Sequence, residues 1–131
     1  MAQFIKLISL AKKARARAYA PYSKFKVGAA VLAESGRIYK GCNVENASYG
    51  LTVCAERAAI SRMVSEGETK FKAIAVVTDQ KRPASPCGAC RQVIAEFAPE
   101  AQVVMANLRG TVLVEKLSRL LPSQFRREKI R

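Results

Sequence analysis

The sequence predicts an α/β domain of three layers, with helices covering both faces of a mixed sheet of about five strands. Three observations carry that expectation. Segments of helical period alternate with short apolar runs in the order α-β-β-α-β-α-β-β. Ser35-Gly36 and Arg109-Gly110 each separate two such runs, and connections that short join antiparallel neighbours. Half of the 131 residues are hydrophobic and spread along the whole length. A chain of this size forms one domain, residues 1–131, burying roughly two-thirds of its unfolded surface without staples.

The first element is a helix over residues 4–17, where Phe4, Leu7, Ile8, Ala11, Ala14 and Ala18 recur at helical spacing among lysines and arginines. It is basic and amphipathic, but it lacks the separate charged and apolar regions of a secretory signal and is read as part of the fold. Pro21 in YAPYSKF ends it. KVGAAVLAE and RIYKGCNVE form a hairpin, ENASYGLTV a loop, and CAERAAISRMVSEG a helix capped by Gly67. FKAIAVVTD is a continuous apolar strand of the kind buried on both faces. After the loop QKRPASP, a helix runs from Cys87 to about Ala98 and stops at Pro99. QVVMANL and TVLVEKL supply the last two strands, and the basic tail SQFRREKIR after Pro122 is expected to be partly mobile.

The formal charge of +13 raises the possibility of a nucleic-acid or other polyanionic partner. No block of five consecutive basic residues occurs, so a solvated basic surface, or charge offsetting a buried anionic site, is favoured over a nucleic-acid role. No apolar run is long enough to cross a membrane. Four cysteines without a secretory signal argue for a reducing cytoplasm and against a disulfide framework.

Cys54 and the Cys87/Cys90 pair each stand at a helix start, where a partial positive charge and unpaired N–H groups favour thiolate. Three readings compete. A redox dithiol would leave Cys54 unexplained. A structural zinc needs a fourth ligand, and Cys42 is the only unused cysteine in a chain without histidine. Strand alternation puts Cys42 on the face of Ile38 and Lys40, opposite Asn43 and Glu45, where it suits a small buried hydrophobe. A catalytic zinc needs three protein ligands and an open fourth position, which Cys54, Cys87 and Cys90 satisfy. Glu56, two residues after Cys54, is then placed to move protons for a metal-activated water. Zinc deaminases share this pattern: a first ligand, any residue, Glu, and then Pro-Cys-x-x-Cys. Here it reads Cys54-Ala55-Glu56 and Pro86-Cys87-Gly88-Ala89-Cys90.

With those residues in view, the chain resembles the small, homotetrameric, zinc-dependent cytidine deaminases. The similarity runs through AYAPYSKFKVGAAV, GCNVENASYG, CAERAAI, VSEG, SPCGACRQV and LLPSQF in the family's order. The resemblance implies the fold of that family and hydrolysis of cytidine or 2′-deoxycytidine to the uridine nucleoside and ammonia, a step of pyrimidine salvage. It implies zinc as cofactor, Cys54, Cys87 and Cys90 as its ligands, and Glu56 as proton shuttle. Ala55 matches a backbone contact to the base, Phe25 an aromatic packed on it, and Asn43 and Glu45 a pair that grips the ribose. Tyr49 and Phe125 resemble residues contributed by a neighbouring subunit, and Arg57 a charge-balancing arginine. Three thiolates on a divalent ion leave a net negative charge, which a guanidinium bonded to sulfur offsets. Arg91 also follows a ligand, and its role is left open.

Related readings are a deaminase of blasticidin S, or of cytosine within RNA or single-stranded DNA. The Cys first ligand and intact ENASY favour the nucleoside. A reading of another class is a noncatalytic basic zinc module that binds nucleic acid through a closed four-ligand metal. The charge and FRREKIR lie outside the motif set.

Overall fold

The computed structural model describes residues 2–127. Its elements are α1 (Ala2–Arg15), β1 (Gly28–Ala33), β2 (Ile38–Cys42), α2 (Ala55–Ser65), β3 (Phe71–Thr78), α3 (Gly88–Phe97), β4 (Gln102–Asn107), β5 (Val112–Lys116) and the one-turn α4 (Leu117–Leu120). A short 3₁₀ turn over Tyr49–Leu51 interrupts the loop before α2. The five strands lie in the order β2-β1-β3-β4-β5. β3 and β4 run parallel, and the other three pairings are antiparallel. The crossover from β3 to β4 carries α3, as parallel neighbours require.

Two cores sandwich this sheet. On one face α1 buries Leu7 and Ala11 against Ala30, Leu32, Ala75 and Val104. On the other, Ala59, Ile60 and Met63 of α2, Ile94 of α3 and Leu117 of α4 pack on Val31, Ile74 and Val103. Alternate residues of β1 and β3 supply opposite faces, so these strands are almost wholly buried and apolar except for Lys72 and Thr78 of β3. The expected three-layer mixed sheet is the one formed.

Two strand glycines set how closely the helices approach. A Cβ on Gly28 would stand 2.0 Å from the Ala11 carbonyl oxygen of α1, and one on Gly41 2.4 Å from the Ala59 nitrogen of α2. Any side chain at either position would push a helix off the sheet.

The elements differ from expectation in three places. β2 ends at Cys42, and the chain continues through Val44, which bridges to both Tyr19 and Val53. Leu117–Leu120, of which Leu117 is expected to end the last strand and the rest to lie outside any element, forms α4, with Leu117 wholly buried. Cys42 is half-buried instead of fully enclosed, although it lies on the α1 side as alternation requires, opposite Gly28 in the register. Of the basic tail, residues 128–131 lie outside the described residues.

Candidate active site

The site is built where α2 and α3 begin. Cys54 is the N-cap of α2 and Cys87 the N-cap of α3, both with extended backbone, while Cys90 lies one turn into α3 and is buried. Their three sulfur atoms lie within 4.8 Å of one another. A tetrahedral zinc with Zn–S bonds of about 2.3 Å holds its sulfurs roughly 3.8 Å apart, so the trio already has nearly that spacing. The Cys90 backbone N–H donates to Cys87 Sγ at 3.5 Å, and Arg57 Nη2 donates to Cys54 Sγ at 3.3 Å. Arg57 Nε is buried with no hydrogen-bond partner among the described residues, an orphaned donor that suits an anionic metal–thiolate cluster. The donor set fits zinc.

The protonation of the trio agrees with that fit. The Cys90 thiol donates to Cys54, and the Arg57 guanidinium adds a donor and a charge; together they outweigh burial and lower Cys54 to about 5. The same hydrogen bond to Cys54, with burial, pushes Cys90 up. Of the two, Cys54, which takes the Arg57 donor, is the one favoured as thiolate. A divalent cation among the sulfurs displaces thiol protons.

Glu56 follows on the first turn of α2 and is 5 % exposed. Burial raises its carboxyl to about 7; the nearby Cys54 thiolate adds to the rise, while its own backbone N–H and Arg57 oppose it. Glu56, Cys54 and Cys87 line a cavity of about 630 Å³, within the roughly 300–1,000 Å³ usual for small-molecule sites.

The remaining expected residues are placed as follows. Ala55, Arg57, Phe25, Asn43, Glu45 and Tyr49 all line this cavity. Asn43 and Glu45 do face the same space, although they lie just beyond β2 and not within it. The Asn43 amide accepts from the Val27 N–H at 2.9 Å and donates to the Phe25 carbonyl at 2.8 Å, which leaves one N–H and one lone pair for a ligand. Tyr49 is 89 % exposed at the cavity mouth of its own chain. Phe125, 72 % exposed, is not part of the cavity wall; its carbonyl accepts from Gln92 Nε2 at 3.2 Å.

Two residues acquire roles that sequence reading left out or open. Ser23 lines the cavity and its hydroxyl donates to Glu45 Oε2, while the Tyr22 and Ser23 N–H groups donate to Oε1 at 3.0 and 3.1 Å. The Phe25 N–H in turn donates to the Ser23 hydroxyl at 3.0 Å. This wraps residues 22–25 around one carboxylate, with Lys24 held at φ 61°, and so fixes both Glu45 and Phe25. The hydrogen bond from Ser23 is the main reason that the Glu45 carboxyl lies below its ordinary range. Arg91 is a strap: its guanidinium donates to the Pro86 carbonyl, the Leu120 carbonyl and Ser85 Oγ at 2.7–2.9 Å, tying the Cys87 loop to α4.

Residues 1–106 match the family model described as the cytidine and deoxycytidylate deaminase zinc-binding region. The chain belongs to this deaminase family. The cytidine deaminase of Sporosarcina psychrophila is 56% identical over 124 residues, covering 94% of this chain and 91% of the relative. The crystal structure of cytidine deaminase from Burkholderia pseudomallei superposes with a TM-score of 0.90 at 51% identity, covering 92% of this chain and 98% of that one. The blasticidin-S deaminase of Bacillus cereus is more distant, 33% identical over 113 residues, 80% of each chain. The deaminase fold and its zinc-binding character therefore extend over the sulfur trio and the cavity above it.

Proposed function

We infer that this chain hydrolyses cytidine and 2′-deoxycytidine to uridine and 2′-deoxyuridine, releasing ammonia, with zinc as cofactor. The observation that carries the reading is the convergence of three cysteine sulfurs from two helix starts beside a buried carboxyl that titrates near neutrality. Cys54, Cys87 and Cys90 hold the metal, which when bound supplies a Lewis acid that makes water acidic enough to attack. The noncatalytic zinc module required a fourth protein ligand; among the described residues the metal-ligating group has three members, and Cys42 lies on the other side of the sheet.

The remaining work falls to the protein. Glu56 takes a proton from the attacking water and delivers protons to the ring nitrogen and to the departing amino group. One carbon–oxygen bond forms and one carbon–nitrogen bond breaks, and ammonia leaves. A carboxyl near 7 can both accept and return a proton close to neutral pH, as such a relay demands. Arg57 offsets the charge of the thiolates through its bond to Cys54. The Ala55 backbone contacts the base, Phe25 packs on its face, and the free N–H of Asn43 and the carboxylate of Glu45 take the ribose hydroxyls. A fixed carboxylate beside the sugar also disfavours a 5′-phosphate, which favours nucleoside over nucleotide.

The enzyme acts as a homotetramer in the cytoplasm, in pyrimidine salvage. Support for assembly comes from large apolar side chains left on the surface: Tyr19, Tyr22, Tyr49, Leu51 and Phe125 are each more than half exposed, and a neighbouring subunit would cover them. Tyr49 and Phe125 then complete a neighbouring subunit's site. Among the described residues no helix is long and apolar enough to cross a membrane.

The test is loss of cytidine absorbance with simultaneous assay of uridine and ammonia. Equimolar uridine and ammonia from zinc-loaded protein are expected; a zinc-loaded protein inert on both cytidine and deoxycytidine refutes the reading. A mass measurement in solution accompanies it, and an active monomer would refute the shared site.

A further inference from the structure

We propose that a basic groove at the β2 edge of the sheet, between the C-terminal ends of α1 and α2, is a second binding site, for a compact polyphosphate. The groove has a volume of about 560 Å³ and shares no lining residue with the deaminase cavity. Lys13, Arg17, Lys40 and Arg62 line it, and no acidic residue does. These cations come from α1, the segment after it, β2 and α2, so their convergence is a product of the fold.

Their environment gives them nothing to pair with. Seven lysines and arginines precede the first acidic residue of the chain, Glu34. Among the described residues the ion pair formed is Arg119–Glu115 at 3.6 Å, and none of the four groove cations has a carboxylate within 4.0 Å. The ordinary account of such residues is compensation of helix C-terminal dipoles. It covers Lys13 and Arg62, which lie in the last turns of α1 and α2. It does not cover Arg17, beyond the end of α1, or Lys40, on a strand. Like charges gathered around a concave space repel one another until an anion enters.

The shape favours a short, highly charged ligand over a nucleic-acid strand. A strand-binding surface needs a basic track along several phosphates, interleaved with aromatic platforms. The groove has the volume of a small-molecule site and no aromatic residue lines it. An oligophosphate chain, free or carried by a nucleoside, matches its charge and its size. Phosphate oxygens accept bidentate bonds from Arg17 and Arg62 and point-charge contacts from Lys13 and Lys40.

Calorimetric titration of the assembled, zinc-loaded protein tests this with three probes: inorganic tripolyphosphate, a nucleoside 5′-triphosphate and a single-stranded oligonucleotide. Lys40→Gln with Arg62→Gln removes two groove charges; Lys70→Gln with Lys72→Gln removes two exposed charges elsewhere. The groove variant is expected to weaken tripolyphosphate by about tenfold or more, and the control by no more than about twofold. Retained cytidine turnover shows that each variant is folded, and Lys13→Gln with Arg17→Gln replaces the first pair if it is not. Tighter binding of the nucleoside triphosphate assigns the phosphate chain to a nucleotide, equal binding to the chain alone, and both support the site. Absence of tripolyphosphate binding, equal weakening in groove and control variants, or oligonucleotide binding that outcompetes tripolyphosphate would overturn it.

Discussion

At the end of β2 two consecutive residues face opposite worlds. Asn43 enters the deaminase cavity on the α2 side, and Cys42 lines the basic groove that wraps the β2 edge between α1 and α2. The first space is lined by buried or hydrogen-bonded groups: a carboxyl near 7, a thiolate seated by Arg57, and a carboxylate held by three donors. The second is lined by exposed cations with no carboxylate partners among the described residues. The end of the edge strand β2 separates them without any intervening domain. The contrast teaches that charge placement depends on solvation. Buried groups near the metal site are tuned by neighbours, whereas the surface cations are tuned by little and await a counterion.

The comparison can be broken most severely from the sulfur side. Cys90→Ser is expected to abolish stable zinc binding and with it turnover, read by metal analysis and the cytidine assay, because two thiolates cannot replace three. Cys42→Ser, on the other face, should leave zinc content and turnover unchanged. A variant of Cys42 that lost zinc would show that the two sides are not separate.

The two strand glycines sharpen the comparison next. Gly28→Ala strikes the α1 backbone and Gly41→Ala the α2 backbone. Each should destabilise by about 1–3 kcal/mol, read as a lowered thermal midpoint. The Gly41 variant should also reduce turnover, since α2 carries Glu56, while the Gly28 variant should retain it in the folded fraction.

A smaller effect is expected from the Ser23 clamp. Ser23→Ala should raise KM for cytidine by about tenfold with kcat nearly unchanged, and Ser23→Thr should restore it. The pH dependence has a definite sign. Glu45 works as a carboxylate, so KM rises as pH falls and it takes up a proton. Its folded pKa lies below the ordinary range because of Ser23. Removing that donor raises the pKa, and the acid rise in KM should begin at a higher pH than in wild type. An unchanged acid limb in Ser23→Ala would assign the clamp to loop folding alone.

What could be read from the sequence follows the range of the interactions involved. The alternation of helices and strands was legible because it rests on local period and on turns such as Ser35-Gly36. The Cys54-Ala55-Glu56 and Pro86–Cys90 segments were legible because each occupies a single helix start. The strand order β2-β1-β3-β4-β5 was not, since β1 finds β3 across a hairpin and a helix. α4 is too short for its period to register, and only burial of Leu117 reveals it. Ser23 meets Glu45 across 22 positions, and Arg91 meets Leu120 across 29, so neither pairing leaves a mark in its own neighbourhood. The groove is likewise assembled from positions 13, 17, 40 and 62, with no basic run to announce it.

The central claim is that the sulfur trio holds zinc while Glu56 carries the protons. Glu56→Gln, which keeps the shape and removes the titrating group, separates the two roles. With zinc content matched to wild type, kcat for cytidine should fall by at least about a thousandfold while nucleoside still binds. Full turnover by the zinc-loaded Gln variant would contradict the account.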